Sequence, residues 1–266
     1  MQLYRDIMGT TAFVLLAFSL LTSTSAWSCT EVKNIKNLLQ IDAGQGHVVA
    51  ADTSEVPYYL RRGFIRDEWI RMLGFVKHIT VGPAGTWCVD KTDGLFKYSD
   101  NIWVQADGFL KQVDAGGDQF IVGTNKQDKP FCLKSSAAAG LRGHGSPLPW
   151  TDLPGSVKYI SCGPFGCWAV NKDNAIVFMT LNRECQNSGW SNIEGMLSMI
   201  EVATDGSVFG VNAVGDIYTR DGITAKKPKG TRWSHIPVKT AMKHVSFDLG
   251  LLWAVSKSGV TFSCKR

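Results

Sequence analysis

The chain has 266 residues, 44% hydrophobic and 19% charged, a globular balance that excludes a disordered chain. Its formal net charge of +5 favours acidic surfaces weakly and gives no ground for nucleic-acid binding. Nine Trp among 27 Gly point to short strands joined by tight turns.

The first element is a leader. Arg5 precedes the apolar run "AFVLLAFSLL" (12–21), and small residues follow up to Ala26. That run is too short to span a bilayer and has the order of a secretory signal peptide. The expected organisation is therefore a leader over 1–26 and a secreted mature domain over 27–266. Cleavage removes Arg5 and Asp6 together, so the net charge survives. No later stretch is long and apolar enough for a transmembrane helix. The first predicted strand of the mature chain is "WSCTEV" (27–32), which stands alone.

Six segments then repeat one pattern: 38–60, 76–98, 110–133, 157–179, 197–220 and 242–264. Each opens on an aliphatic column: Ile41, Ile79, Val113, Ile160, Ile200, Val245. A second column follows (Val49, Trp87, Val122, Trp168, Phe209, Trp253), always trailed by a small residue. Nine residues further, without a gap in any copy, stand Tyr58, Phe96, Phe131, Val177, Tyr218 and Phe262. Trp69, Trp103, Trp150 and Trp190 each lie ten residues before the next aliphatic column, and Trp233 lies twelve before it. Period-two alternation bounded by Gly, Asp and Asn marks strands. About four strands in each repeat of about 40 residues is the signature of propeller blades. The expected fold is all-β, a six-bladed β-propeller.

The last copy stops before its fourth strand, and "WSCTEV" supplies it. Cys29 then lies beside Cys264, and a disulfide there clips the ring shut. Cys162 and Cys167 bracket the hairpin turn "GPFG", where cross-strand neighbours can meet disulfide geometry. Cys88 occupies the small-residue column and reads as a buried free thiol. Cys132 with Cys185 would staple neighbouring blades. Sequence alone does not settle this connectivity, and the alternative is that some of these thiols are unpaired. Seven cysteines is an odd number, so one is left over or joins another chain, which leaves a homodimer open.

The units "LKQVDAGGDQFIVGTN" and "SMIEVATDGSVFGVNAVGDIY" resemble the tectonin repeat. With the leader, six copies, "SCGPFGCWAVN" and "HVSFDLGLLWAV", the chain is similar to the fish-egg lectins of the tectonin family over all of 27–266. The resemblance implies a secreted propeller that binds carbohydrate without catalysis. It implies N-acetylglucosamine, galactose or lipopolysaccharide glycans on microbial or egg surfaces as partners, and a part in innate defence. Some members carry a further cysteine pair in the last copy, where this chain has "IPVKTAM" and "LWAVS"; Cys88 is an addition.

Little in the sequence carries chemistry. His47, His78, His144, His235 and His244 form no metal spacing, and no nucleophile elbow or P-loop occurs. Propeller sialidases need arginines gathered around a carboxylate, whereas Arg61, Arg62, Arg66 and Arg71 crowd one blade. No cofactor is expected. "DKTDG" (90–94) faintly resembles a calcium loop but lacks its ligand spacing and closing Glu.

Sugars need an aromatic face and polar groups that fix hydroxyls. Two polar columns qualify. One follows the second strand: Asp52, Asp90, Asn125, Asn171, Asn212 and Ser256. The other lies in the first hairpin loop of a copy: Asp118, Asp205 and Asp248. The candidate carbohydrate-binding residues are Asp90, Asn125, Asn171, Asn212, Asp118 and Asp205. The competing reading of the first column is an Asx turn that each hairpin needs, and that of the Trp column is inter-blade core. Lys226, Lys227, Lys229 and Arg232 could meet phosphates of lipopolysaccharide. A secreted protein-interaction scaffold is the alternative function.

Overall fold

The computed structural model describes residues 26–141 and 147–266; the expected leader lies outside them except for Ala26, as does His144. Six four-stranded antiparallel sheets form the six blades of a β-propeller. In each, strand a lies innermost and strands b, c and d follow outward. The a strands are Leu38–Gly44, His78–Gly82, Gln112–Asp114, Tyr159–Gly163, Met199–Val202 and Met242–Asp248. Blades one to five run in chain order. Blade six takes a, b and c from the C-terminus, and its d strand is Ser28–Glu31 at the N-terminus. Each blade keeps its a strand at the axis and its d strand at the rim as sheet edges, the arrangement of a propeller.

The aliphatic column is buried in all six copies, and so is the second column. Each pairs across its own hairpin: Ile79 faces Cys88 and Ile160 faces Ala169. The small column explains itself here. A Cβ on Gly123 would stand 2.6 Å from the Leu110 side chain, and one on Gly210 2.5 Å from that of Leu197. Both leucines arrive from the connection that enters the blade.

The Trp column joins blades. Trp103, Trp150, Trp190 and Trp233 each donate their indole N–H to a carbonyl of the preceding blade: Leu73, Asp107, Pro154 and Glu194, at 2.7–2.9 Å. Next to each carbonyl is a glycine at positive φ (Gly74, Gly108, Gly155, Gly195). A Cβ there would lie 3.0–3.3 Å from the indole, so only glycine lets the ring close down on the backbone.

Blade six departs from this pattern. In the register of the outer strands Trp103 faces Tyr98 and Trp233 faces Arg220, whereas the equivalent pair is Cys29 facing Cys264. A disulfide links those two residues across 235 positions of sequence, closing the ring. Cys132–Cys185 joins blades three and four, Cys162–Cys167 spans the a–b hairpin of blade four, and Cys88 is free and buried.

Blade three is irregular. Its d strand is only Thr151–Asp152, Trp150 precedes that strand, and a one-turn helix, Ser135–Ala139, sits between its c and d strands. No helix among the described residues is long and apolar enough to cross a membrane.

Candidate functional site

Two kinds of site were expected from the polar columns, and the structure gives each column a local duty. In every b–c turn the side-chain oxygen of the column residue accepts backbone N–H groups of its own hairpin. Asp90 Oδ1 takes Thr92 N and Gly94 N; Asn125 Oδ1 takes Gln127 N and Lys129 N. Asn171 Oδ1 takes Asp173 N and Ala175 N, and Asn212 Oδ1 takes Gly215 N and Asp216 N. These are Asx turns. Asp90 Oδ1 also accepts the Thr92 hydroxyl. Among the described residues no three His, Cys, Asp or Glu side chains converge as a metal site.

The a–b loop column is not gathered into one place. Asp118 holds a bidentate pair with Arg183 of blade four, at 2.8–3.1 Å. Asp205 caps Ser207 N, and Asp248 Oδ2 accepts Gly46 N at 2.6 Å. Of the three, Asp205 opens on a groove of about 460 Å³, shared with Trp27, Phe209, Asp221 and Arg266.

What the fold does assemble from the columns is a pocket between blades. It lies on the rim that carries the b–c turns and the d-to-a connections. At the boundary of blades four and five a pocket of about 210 Å³ is lined by Gly195, Met196, Asn212, Tyr218 and Trp233. At the boundary of blades one and two, a pocket of about 270 Å³ is lined by the same repeat positions: Gly74, Phe75, Asp90, Phe96 and Trp103. The Trp that clamps the boundary is thus one wall, and the third-column aromatic is another. The Asx turn sets the polar end. Asn212 spends Oδ1 on its turn and points Nδ2 to Asp216 Oδ2 at 3.1 Å. Cys88 lines the second pocket where the first has no side chain at the equivalent Gly210. Burial pushes its thiol pKa well up, with the Asp90 charge adding to it, so it is a poor nucleophile.

Sequence reasoning missed the outer lip of this pocket. Phe75, Phe109 and Met196 each follow the clamping glycine, and all three are exposed. A glycine followed by a large apolar residue, at Gly74–Phe75, Gly108–Phe109 and Gly195–Met196, was the available signal.

A second feature also went unread. The residues flanking the aliphatic column turn inward and line the axis: Gln40 and Asp42, His78 and Thr80, Gln112 and Asp114, Tyr159 and Ser161, Met199 and Glu201, His244 and Ser246. Except in blade five, they tie each a strand to the next. Gln40 exchanges two hydrogen bonds with Ile79, and Gln112 does the same with Ile160. Backbone N–H groups of Val81, Ala115, Cys162, Val202 and Ala43 donate to Asp42, Thr80, Asp114, Ser161 and Ser246 respectively. The Tyr159 hydroxyl donates to Glu201 Oε2 at 3.2 Å and meets Nε2 of His78 and His244. Burial raises the carboxyl pKa of Asp42 and Glu201. Burial and then the neighbouring Asp42 push Asp114 up to about 8, while burial takes His78 down to about 3. The axis is therefore lined by polar groups that are mostly buried and mostly hydrogen-bonded to one another or to a neighbouring a strand.

The tectonin domain profile matches residues 37–257. The chain belongs to the tectonin family. This tectonin propeller is 45% identical over 232 residues to the fish-egg lectin of Cyprinus carpio, covering 86% of this chain and 95% of that one. Solved structures share the fold at much lower identity. Virginiamycin B lyase of Staphylococcus aureus superposes with a TM-score of 0.57 at 11% identity, over 90% of this chain and 99% of that one. Prp20p of Saccharomyces cerevisiae gives 0.54 at 12%, over 84% and 70%. Those two likenesses speak to architecture alone.

Proposed function

We propose that the protein is a secreted, non-enzymatic lectin that holds sugars in the blade-boundary pockets. The observation that carries this reading is recurrence. Two boundaries present the same Trp wall, third-column aromatic and Asx turn, and Phe75 or Met196 stands exposed at the lip. An aromatic face against sugar C–H groups with a polar group at one end is how carbohydrates are held. Kinship with a protein named fish-egg lectin supports the same class of ligand. N-acetylglucosamine, galactose-type residues and lipopolysaccharide glycans on microbial or egg surfaces are the proposed partners, in a defensive role. The three disulfides suit an oxidising compartment, as does the leader over 1–26.

Shallow pockets repeated on one ring give weak binding to a free sugar and tight binding to a dense glycan surface. The test is retention of the mature protein on immobilised N-acetylglucosamine. Tyr218→Ala and Phe96→Ala are each expected to weaken retention several-fold, on the order of 1 kcal/mol for one lost aromatic contact, and the double variant more than either. Asn125→Ala, by contrast, should lower thermal stability through its turn. Binding to bacterial or egg surfaces that no sugar displaces would hand the pockets to a protein-scaffold role.

A further inference from the structure

The c–d loop of blade one joins strands Pro57–Arg61 and Glu68–Arg71 and reads "RGFIRD". It is held rather than loose. Arg61 pairs with Glu68 at its base, and the Asp67 carboxylate accepts Arg62 Nη1 at 2.6 Å and Gly63 N at 3.4 Å. Asn34, from the segment leading into blade one, donates to the Asp67 carbonyl. The chain is pinched at Gly63, where a Cβ would fall 2.1 Å from the Arg66 carbonyl oxygen. Beyond the pinch stand Phe64 and Ile65, 108% and 93% exposed. No other large apolar residue described is above 80%.

Isolated exposed apolar residues are ordinary on protein surfaces. Two adjacent ones, thrust out by a tight and anchored turn, need an occupant. Residues 61–71 carry four arginines against Asp67 and Glu68, and Arg66, beside the tip, makes no ion pair among the described residues. An apolar point collared by arginines matches an acidic, soft surface whose interior is apolar. It suits a second copy of the chain poorly. A two-fold contact through the tip would set each arginine collar against its twin.

We propose that the Phe64–Ile65 tip is a membrane-insertion point for anionic phospholipid bilayers, with Arg62 and Arg66 at headgroup level. The tip projects from the rim of a–b and c–d loops, opposite the blade-boundary pockets. Lipid contact and sugar contact thus face opposite ways.

The experiment is co-sedimentation of the mature protein with vesicles that carry no sugar, so it stands or falls apart from the lectin reading. Equimolar phosphatidylcholine–phosphatidylglycerol vesicles should bring the protein down, and phosphatidylcholine alone should do so weakly. Phe64→Ser with Ile65→Ser should weaken association by roughly tenfold or more, because both apolar contacts go. Phe64→Leu with Ile65→Leu should retain it. Arg66→Ala should weaken it by about threefold, with reduced salt sensitivity. Failure of the unaltered protein to bind the anionic vesicles overturns the proposal, and so does undiminished binding by the serine variant. Self-association in solution that the serine pair abolishes would make the tip a seam between copies, which also overturns it.

Discussion

Boundaries between blades one to five and the two boundaries that flank blade six solve the same problem differently. At the first four, an indole N–H reaches a carbonyl across the boundary while its ring lies on a glycine. On one side of blade six the Trp position is taken by Cys29, bonded to Cys264. On the other side Trp69 packs edge-on against Trp253, and its buried Nε1 has no partner. The axis repeats the contrast. Side chains of blades one, two, three, four and six each accept a backbone N–H of the next a strand. Glu201 of blade five turns instead to Tyr159. Boundaries between blades one to five are held by weak, repeated contacts, with one disulfide, Cys132–Cys185, added between blades three and four. Blade six, where the chain begins and ends, carries a covalent bond inside its own sheet, between its first and last strands.

That comparison is easiest to break at the covalent bond. Cys29→Ser should cause the largest loss of all, nominally about 4–5 kcal/mol for so long a closed loop in the chain-entropy account. In a thermal melt of a domain this size that is a fall of roughly 10 °C. A melt lowered no more than by a single Trp substitution would mean that non-covalent contacts already hold the closure.

A second measurement strikes the axis. Asp114, with a pKa near 8 in the fold, is raised above the ordinary carboxylate value. The folded state therefore holds a proton that the unfolded chain has released. Its contribution is present in full below about pH 4, the ordinary carboxylate range, and is lost as pH rises from there through about 8. Across that interval stability should fall by about 1.4 kcal/mol per pH unit for this one group, and the fall should level off above about pH 8. Urea melts from about pH 5 to 9 read the slope and its levelling directly. Asp114→Asn, which keeps the shape without the titration, should flatten it; an equal slope in the variant would move the effect to Asp42 or Glu201.

The smallest effect separates the two kinds of boundary most finely. Trp103→Phe removes a hydrogen bond to Leu73, while Trp69→Phe removes none. The first should cost about 1 kcal/mol more than the second by denaturant unfolding. Equal costs would show that packing of the indole, rather than its N–H, makes the clamp.

The fold was legible because its signal is periodic. The gapless spacing from Trp87 to Phe96, and from Phe209 to Tyr218, recurs in every copy, and an unpaired strand at each end of the chain fixed the closure. The site was legible only in part. Asn125 and Asn171 could be turn residues or ligands, since an Asx oxygen serves both and only geometry shows that the hairpin uses it. Phe75, Phe109 and Met196 escaped because they stand at the ends of outer strands or just past them, outside the six repeated segments. Gln40, Asp42 and their counterparts escaped for another reason. Alternation distinguishes two faces of a strand, but it does not say which strand lines an axis.

Those axial residues alternate from blade to blade. Amide and carboxyl side chains come from blades one and three, with Met199 and Glu201 in the same places in blade five. Imidazole or phenol with a hydroxyl comes from blades two, four and six. The chemical period of the ring is thus two blades, and the ring has parity. Removing or adding one blade would set like beside like at the axis, carboxyl against carboxyl or hydroxyl against hydroxyl according to the kind of blade changed. Rings of four, six or eight such blades stay in phase, and rings of five or seven do not. A molecule that grew by this rule could lengthen only by pairs.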